Sequence, residues 1–187
     1  MGAGRAAPRH LDDPRFVGAV RERVVVAQIA AVGRGIERAR LDHAVVEDTS
    51  IDTLTNSGNI AGPTYAVLAT TNIGTIDNSG SIEGGVHAVD IGLAVNSGSI
   101  SSSGNGIESN GSIEHLNNTG AISAEFVAVY AFMSADISNS GSIVSDIGPA
   151  IETATSTLAL DNSGSITASG AVVVRGELVP SQGKGQS

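Results

Sequence analysis

Four histidines, His10, His43, His87 and His115, are scattered through a chain of 187 residues that has no cysteine. Zinc-type sites need ligands bunched at short, defined spacings, which these histidines do not show. The missing cysteine also removes thiolate nucleophiles, thiolate metal sites and any disulfide framework. Serine is so frequent that no single hydroxyl stands out as an activated nucleophile. No phosphate-binding loop or dinucleotide fingerprint is present either, since Gly104-Asn105-Gly106 opens no helical pattern. Carboxylate chemistry remains, and its candidates are Asp90 and Glu108. Whether they meet depends on the elements that carry them.

Those elements are written as a repeat. The phrases LTNSGNI, IDNSGSI, AVNSGSI, LNNTGAI, ISNSGSI and LDNSGSI centre on Asn56, Asn78, Asn96, Asn118, Asn139 and Asn162, separated by 22, 18, 22, 21 and 23 residues. A period in this range signals a stacked array. The residue two before each Asn is Leu54, Ile76, Ala94, Leu116, Ile137 or Leu160, and the residue four after it is always Ile, from Ile60 to Ile166. Positions of one parity share one face of a strand, so these face inward together.

A second aliphatic follows seven residues after each of the first four of these Ile, at Val67, Val89, Ile107 and Val129, then at Ile151 and Val172. An odd step changes face in a straight strand, so a corner must intervene. Helical solenoids need i, i+3, i+4 stripes of Leu, Glu, Lys and Arg, whereas this segment offers Gly, Ser, Asn, Val and Ile. The sequence therefore predicts an all-β, right-handed parallel β-helix of about six rungs at ~4.8 Å spacing over residues 44–174. In such a stack each Asn passes side-chain hydrogen bonds along a ladder, and the following Gly permits close backbone approach.

Aligning the repeats places Leu68, Asp90, Glu108, Tyr130, Glu152 and Val173 at one outward position. Asp90 and Glu108 then fall on consecutive rungs, where two like charges would bind a cation such as calcium, act as a glycosidase pair, or simply splay into solvent. No other cofactor is expected, and the Gly-Gly-x-Gly-x-Asp phrases of calcium-binding β-rolls are missing. The run from Glu125 to Met133 gathers two of the three Phe and one of the two Tyr. If Tyr130 and Phe132 point outward they mark a contact patch for a sugar or protein; otherwise they fill a bulged core.

Charge divides the chain. Residues 1–43 hold eight of ten Lys/Arg and five of nineteen acids, whereas residues 44–174 contain thirteen acids and no Lys or Arg. That long acidic surface repels phosphate, which argues against nucleic acid and anionic membrane. Val24 to Val32, broken by Gln28, is far shorter than the ~20 apolar residues of a membrane span. Arg5, Arg9, Arg15, Arg21 and Arg23 alternate with acids and Pro, unlike the single basic region of a secretory signal, so no signal peptide is read.

Residues 1–43 are instead expected to cap the first rung. Asp12 and Asp13 before Pro14 suit a helix start, and Val17, Val20, Val24, Ala27 and Ala31 form a stripe that would dock near Val45 and Leu54. Val24 to Val26 as a strand, or a basic membrane-surface helix, are the alternatives. Residues 175–187 read as a flexible polar tail, leaving a final rung open to end-to-end association.

The series of Asn-Ser-Gly-x-Ile phrases resembles the passenger repeats of bacterial autotransporters and related secreted β-helix adhesins over residues 44–174. The resemblance implies an exported stalk or adhesive body outside the cell or on the outer membrane, meeting a surface glycan or protein. The expected function is thus a non-enzymatic structural or adhesive module. A short glycosidase-type β-helix and a self-assembling fibre subunit are the alternatives.

Overall fold

Stacking of the repeated phrase is visible in a computed structural model, which describes residues 46–48, 50–170 and 174–179. Within them the chain is all-β: about six turns, each crossing three faces with parallel pairing between turns. The helix expected between residues 12 and 40 lies outside the described residues.

The first face stacks β2 (Ile51–Asn56), β5 (Asn72–Asn78), β8 (Asp90–Asn96), β11 (Ile113–Asn118), β14 (Ala135–Asn139) and the end of β16 (Ile151–Asn162). The second stacks β3 (Asn59–Ala61), β6 (Ser81–Glu83), β9 (Ser99–Ser102), β12 (Ala121–Ala124), β15 (Ser142–Ser145) and β17 (Ser165–Ala168). The third stacks β1 (Val46–Asp48), β4 (Val67–Ala69), β7 (Val86–Ala88), β10 (Ile107–Ser109), β13 (Val129–Ala131), the start of β16, and β18 (Val174–Val179). Stacking thus runs on past Arg175, into the segment read as a tail.

Each inward position forms its own column. Ile60, Ile82, Ile100, Ile122, Ile143 and Ile166 are in register on the second face. Leu54, Ile76, Ala94, Leu116, Ile137 and Leu160 are in register on the first. The interior is filled by Ile, Leu, Val and Ala, nearly all fully buried.

The third face corrects one column of the sequence alignment. The residue stacked on Val67 is Val86, not Val89, which is exposed. The cause is the short period between Asn78 and Asn96. Where other turns spend several residues on the corner between second and third faces, this turn uses only Gly84 and Gly85, at φ +120° and +84°. Such angles are open to Gly and costly for other residues. Counting seven from Ile82 therefore overshoots, and the outward column becomes Leu68, His87, Glu108, Tyr130, Glu152 and Arg175. At the far end the residue paired with Ile151 is Val174 rather than Val172.

Candidate functional site

The repeated Asn holds the stack from inside. Nδ2 of Asn56, Asn78, Asn96, Asn118 and Asn139 each donates to Oδ1 of the next Asn at 2.7–2.8 Å. The same amide reaches a main-chain carbonyl one turn on, as from Asn96 to Ala121 O at 3.1 Å. The Asn carbonyl accepts from the next turn's Ser or Thr and Gly N–H groups, as from Ser97 and Gly98 to Asn78 at 2.8 and 3.1 Å. Asn56 to Asn139 are buried, while Asn162, last in line, is exposed. A buried amide with every hydrogen bond made is structural.

Asp90 and Glu108 do not meet. Asp90 pairs with Asn72 on the first face, and its Oδ1 accepts from Ser112 N at 2.9 Å, closing the corner of the turn above. Glu108 lies on the third face beside His87 and Tyr130. Among the described residues no group of three or more His, Asp or Glu is arranged to hold a metal ion.

Around Glu108 the structure assembles a constellation that the shifted alignment hid. Tyr65, on the corner before β4, donates its hydroxyl to Glu108 Oε2 at 2.8 Å, and Asn105 Nδ2 donates to the same oxygen at 3.0 Å. Reaching across two turns, the Tyr65 ring stacks on His87 with centroids 4.8 Å apart and planes inclined 29°. His87 Nε2 lies 3.0 Å from Asn110 Nδ2. The other ring nitrogen, Nδ1, is buried with no partner among the described residues. Burial first, then the hydrogen bond to Glu108 and its negative charge, push the Tyr65 phenol up to about 12. Tyr65 therefore stays a donor, not a base, at any ordinary pH.

Tyr130 and Phe132 both face out, Tyr130 half-buried and Phe132 46% exposed. The corner at Val127 and Ala128 turns both of those residues inward. Phe126 and Ile147 stand exposed on one corner beside the third face, and Val89, Phe132 and Met133 on the other. Glu152 and Arg175 extend the column as a 3.0 Å ion pair. The signal for His87 and Tyr65 was in the sequence after all, in the Gly84-Gly85 doublet and the 18-residue period.

An open groove of about 520 Å³ runs along the second face past Gly62, Glu83, Ser102, Ser123 and Asp146. Its two carboxylates lie on β6 and just beyond β15. Three turns at ~4.8 Å separate them by ~14 Å, beyond the ~5–9.5 Å of glycosidase pairs. On the first face His115 Nδ1 and Asp136 Oδ2 approach to 3.2 Å in an exposed pair, of a kind worth little. The described residues include no helix long and apolar enough to cross a membrane. In comparisons with known proteins, no family model, curated protein or solved structure matches the chain.

Proposed function

We propose that this chain is a non-enzymatic structural or adhesive β-solenoid module of bacterial surface or secreted type. The observation that carries the reading is the unbroken asparagine ladder. Its repeated, buried polar residue is committed to stacking, while Asp90 and Glu108 lie on different faces and three turns separate Glu83 from Asp146. The location outside the cell rests on the likeness of the Asn-Ser-Gly-x-Ile phrases to autotransporter passengers, and calcium is a candidate stabiliser to be tested alongside.

Solution scattering with light scattering and far-UV dichroism, with and without calcium, combined with reducing-sugar release from neutral and acidic polysaccharides, tests the proposal. A β-rich rod that releases no sugar is expected. Turnover abolished by Glu108→Gln would overturn it.

End-to-end association is a second reading with its own support. Leu160, Ile166 and Ala168 in the last turn are only half-buried, whereas Leu54 and Ile60 in the first are 2% exposed. Among the described residues no strand covers the far side of β17. An exposed strand edge pairs readily with another chain. Rods that lengthen with concentration, and cease to do so in Thr167→Pro, are the expected sign. A monomer at all concentrations rules this reading out.

A further inference from the structure

Every aromatic residue described in the solenoid lies on or beside one face. Tyr65, Phe126, Tyr130 and Phe132 all lie outside the aliphatic interior, and none sits on a strand of the first or second face. We infer that the third face binds a neutral polysaccharide, its aromatic rings lying against sugar rings and its polar groups bonding sugar hydroxyls. This rests on the adhesive reading and names the ligand class for it.

Three features favour that occupant. Sugars present an apolar C–H face and a polar rim, and tyrosine suits surfaces that are apolar at one end and wet at the other. Tyr130 stands in the column between Glu108 and Glu152, with exposed rings of Phe126 and Phe132 on the two corners. The hydrogen-bonding groups are held in advance: among the described residues Glu108 accepts from Tyr65 and Asn105 through Oε2, and Oε1 faces no donor. A preorganised site loses less entropy on binding.

Charge selects the type of polymer. Arg175 offsets Glu152 at 3.0 Å, while Glu108 is bonded by the neutral donors Tyr65 and Asn105 and Glu47 heads the column, so the column stays net negative with its arginine already paired, which disfavours an acidic polymer. Residues 44–174 as a whole, the column included, hold thirteen carboxylates and no Lys or Arg, and repel uronates and sulfates. Outward positions recurring at ~4.8 Å also suit a ligand that itself repeats.

Native electrophoresis of the full chain in gels containing hydroxyethylcellulose, galactomannan or dextran tests the inference, with polygalacturonate and chitosan as acidic and cationic comparators. Retardation is expected in at least one neutral gel. Tyr130→Ala should weaken it about tenfold, as loss of a stacking ring does, with β-structure checked by dichroism. Leu93→Ala, on the first face, should leave it unchanged. No retardation in any neutral gel, retardation by chitosan alone, or retardation indifferent to Tyr130→Ala overturns the inference. So does a dimer abolished by Tyr130→Ala, which would assign the face to a second copy. Retardation accompanied by sugar release would keep the binding face and overturn the non-enzymatic reading, so the two failures are distinguishable.

Discussion

The column from Asn56 to Asn162 and the column from Leu68 to Arg175 are stacked by the same parallel backbone pairing. One repeats a single residue type in every turn, and the other never places a residue beside its own kind. The difference follows from where their polar groups find partners. A buried primary amide both donates and accepts, so an identical amide one turn away completes it, and a carboxylate, lacking the donor, would not. An outward residue is completed by water or by a ligand, so its identity is free. Uniform columns in this solenoid record what folding demands, and mixed columns are where a binding preference can be written.

The sharpest way to break the comparison is to remove one amide from each environment. Asn96→Ala deletes the acceptor for Asn78 Nδ2 and the donors to Asn118 Oδ1 and Ala121 O. Buried groups left unsatisfied cost about 1–3 kcal/mol each, so a loss of about 3 kcal/mol or more is expected in urea unfolding. Asn162→Ala, at the exposed end, takes one partner only from the ladder, the acceptor for Asn139 Nδ2, which keeps its bond to Ser165 O, and should cost a smaller amount of about 1 kcal/mol. Equal losses at the two sites would show that the ladder does not act through burial.

Glycine separates the same two situations on a smaller scale. A Cβ on Gly98 would run into the Gly80 carbonyl, whereas one on Gly58 meets nothing within 4 Å. Gly98→Ala should therefore destabilise by about 2 kcal/mol, the usual cost of overpacking. Gly58→Ala should be near neutral, and matched unfolding curves decide it. Gly85→Ala adds strain at φ +84° to a clash with the Asn105 carbonyl, and about 1–3 kcal/mol is expected. If Gly85→Ala is harmless, the short corner is not what sets His87 in the outward column.

That corner also marks where the sequence stops being legible. The repeated Asn and Ile declare their columns because one environment demands one residue. Parallel stacking, the inward Ile and the outward Ser or Thr after each Asn can all be read from the period alone. Gly84 and Gly85 replace several residues by backbone conformation, and a count of residues cannot register that. The alignment consequently set Asp90 where His87 stands, and so missed Tyr65, which joins Glu108 only because two turns bring Leu68 and Glu108 to either side of His87. Tyr130 and Phe132 could be singled out but not oriented, because the position of the corner at Val127 and Ala128 was unknown.

The smallest effect expected concerns the outward column itself, and it is read by pH. Tyr65 holds its proton to about 12 in the folded chain, while an unfolded tyrosine releases it near ~10. Between those values the unfolded chain binds fewer protons than the folded one, so stability falls as pH rises. The contribution is complete below pH ~10 and gone above pH ~12. Comparing urea midpoints of the native chain and Tyr65→Phe across this window isolates the slope, because other titrating groups are common to both. The native midpoint should fall more steeply. Phenolate absorbance in a Tyr130→Phe background should show Tyr65 titrating above the ordinary range, and Glu108→Gln should move it down, since the charge goes while an acceptor stays. An unmoved phenol in Glu108→Gln would mean that burial alone sets it, and that Glu108 is free to turn both oxygens toward a ligand.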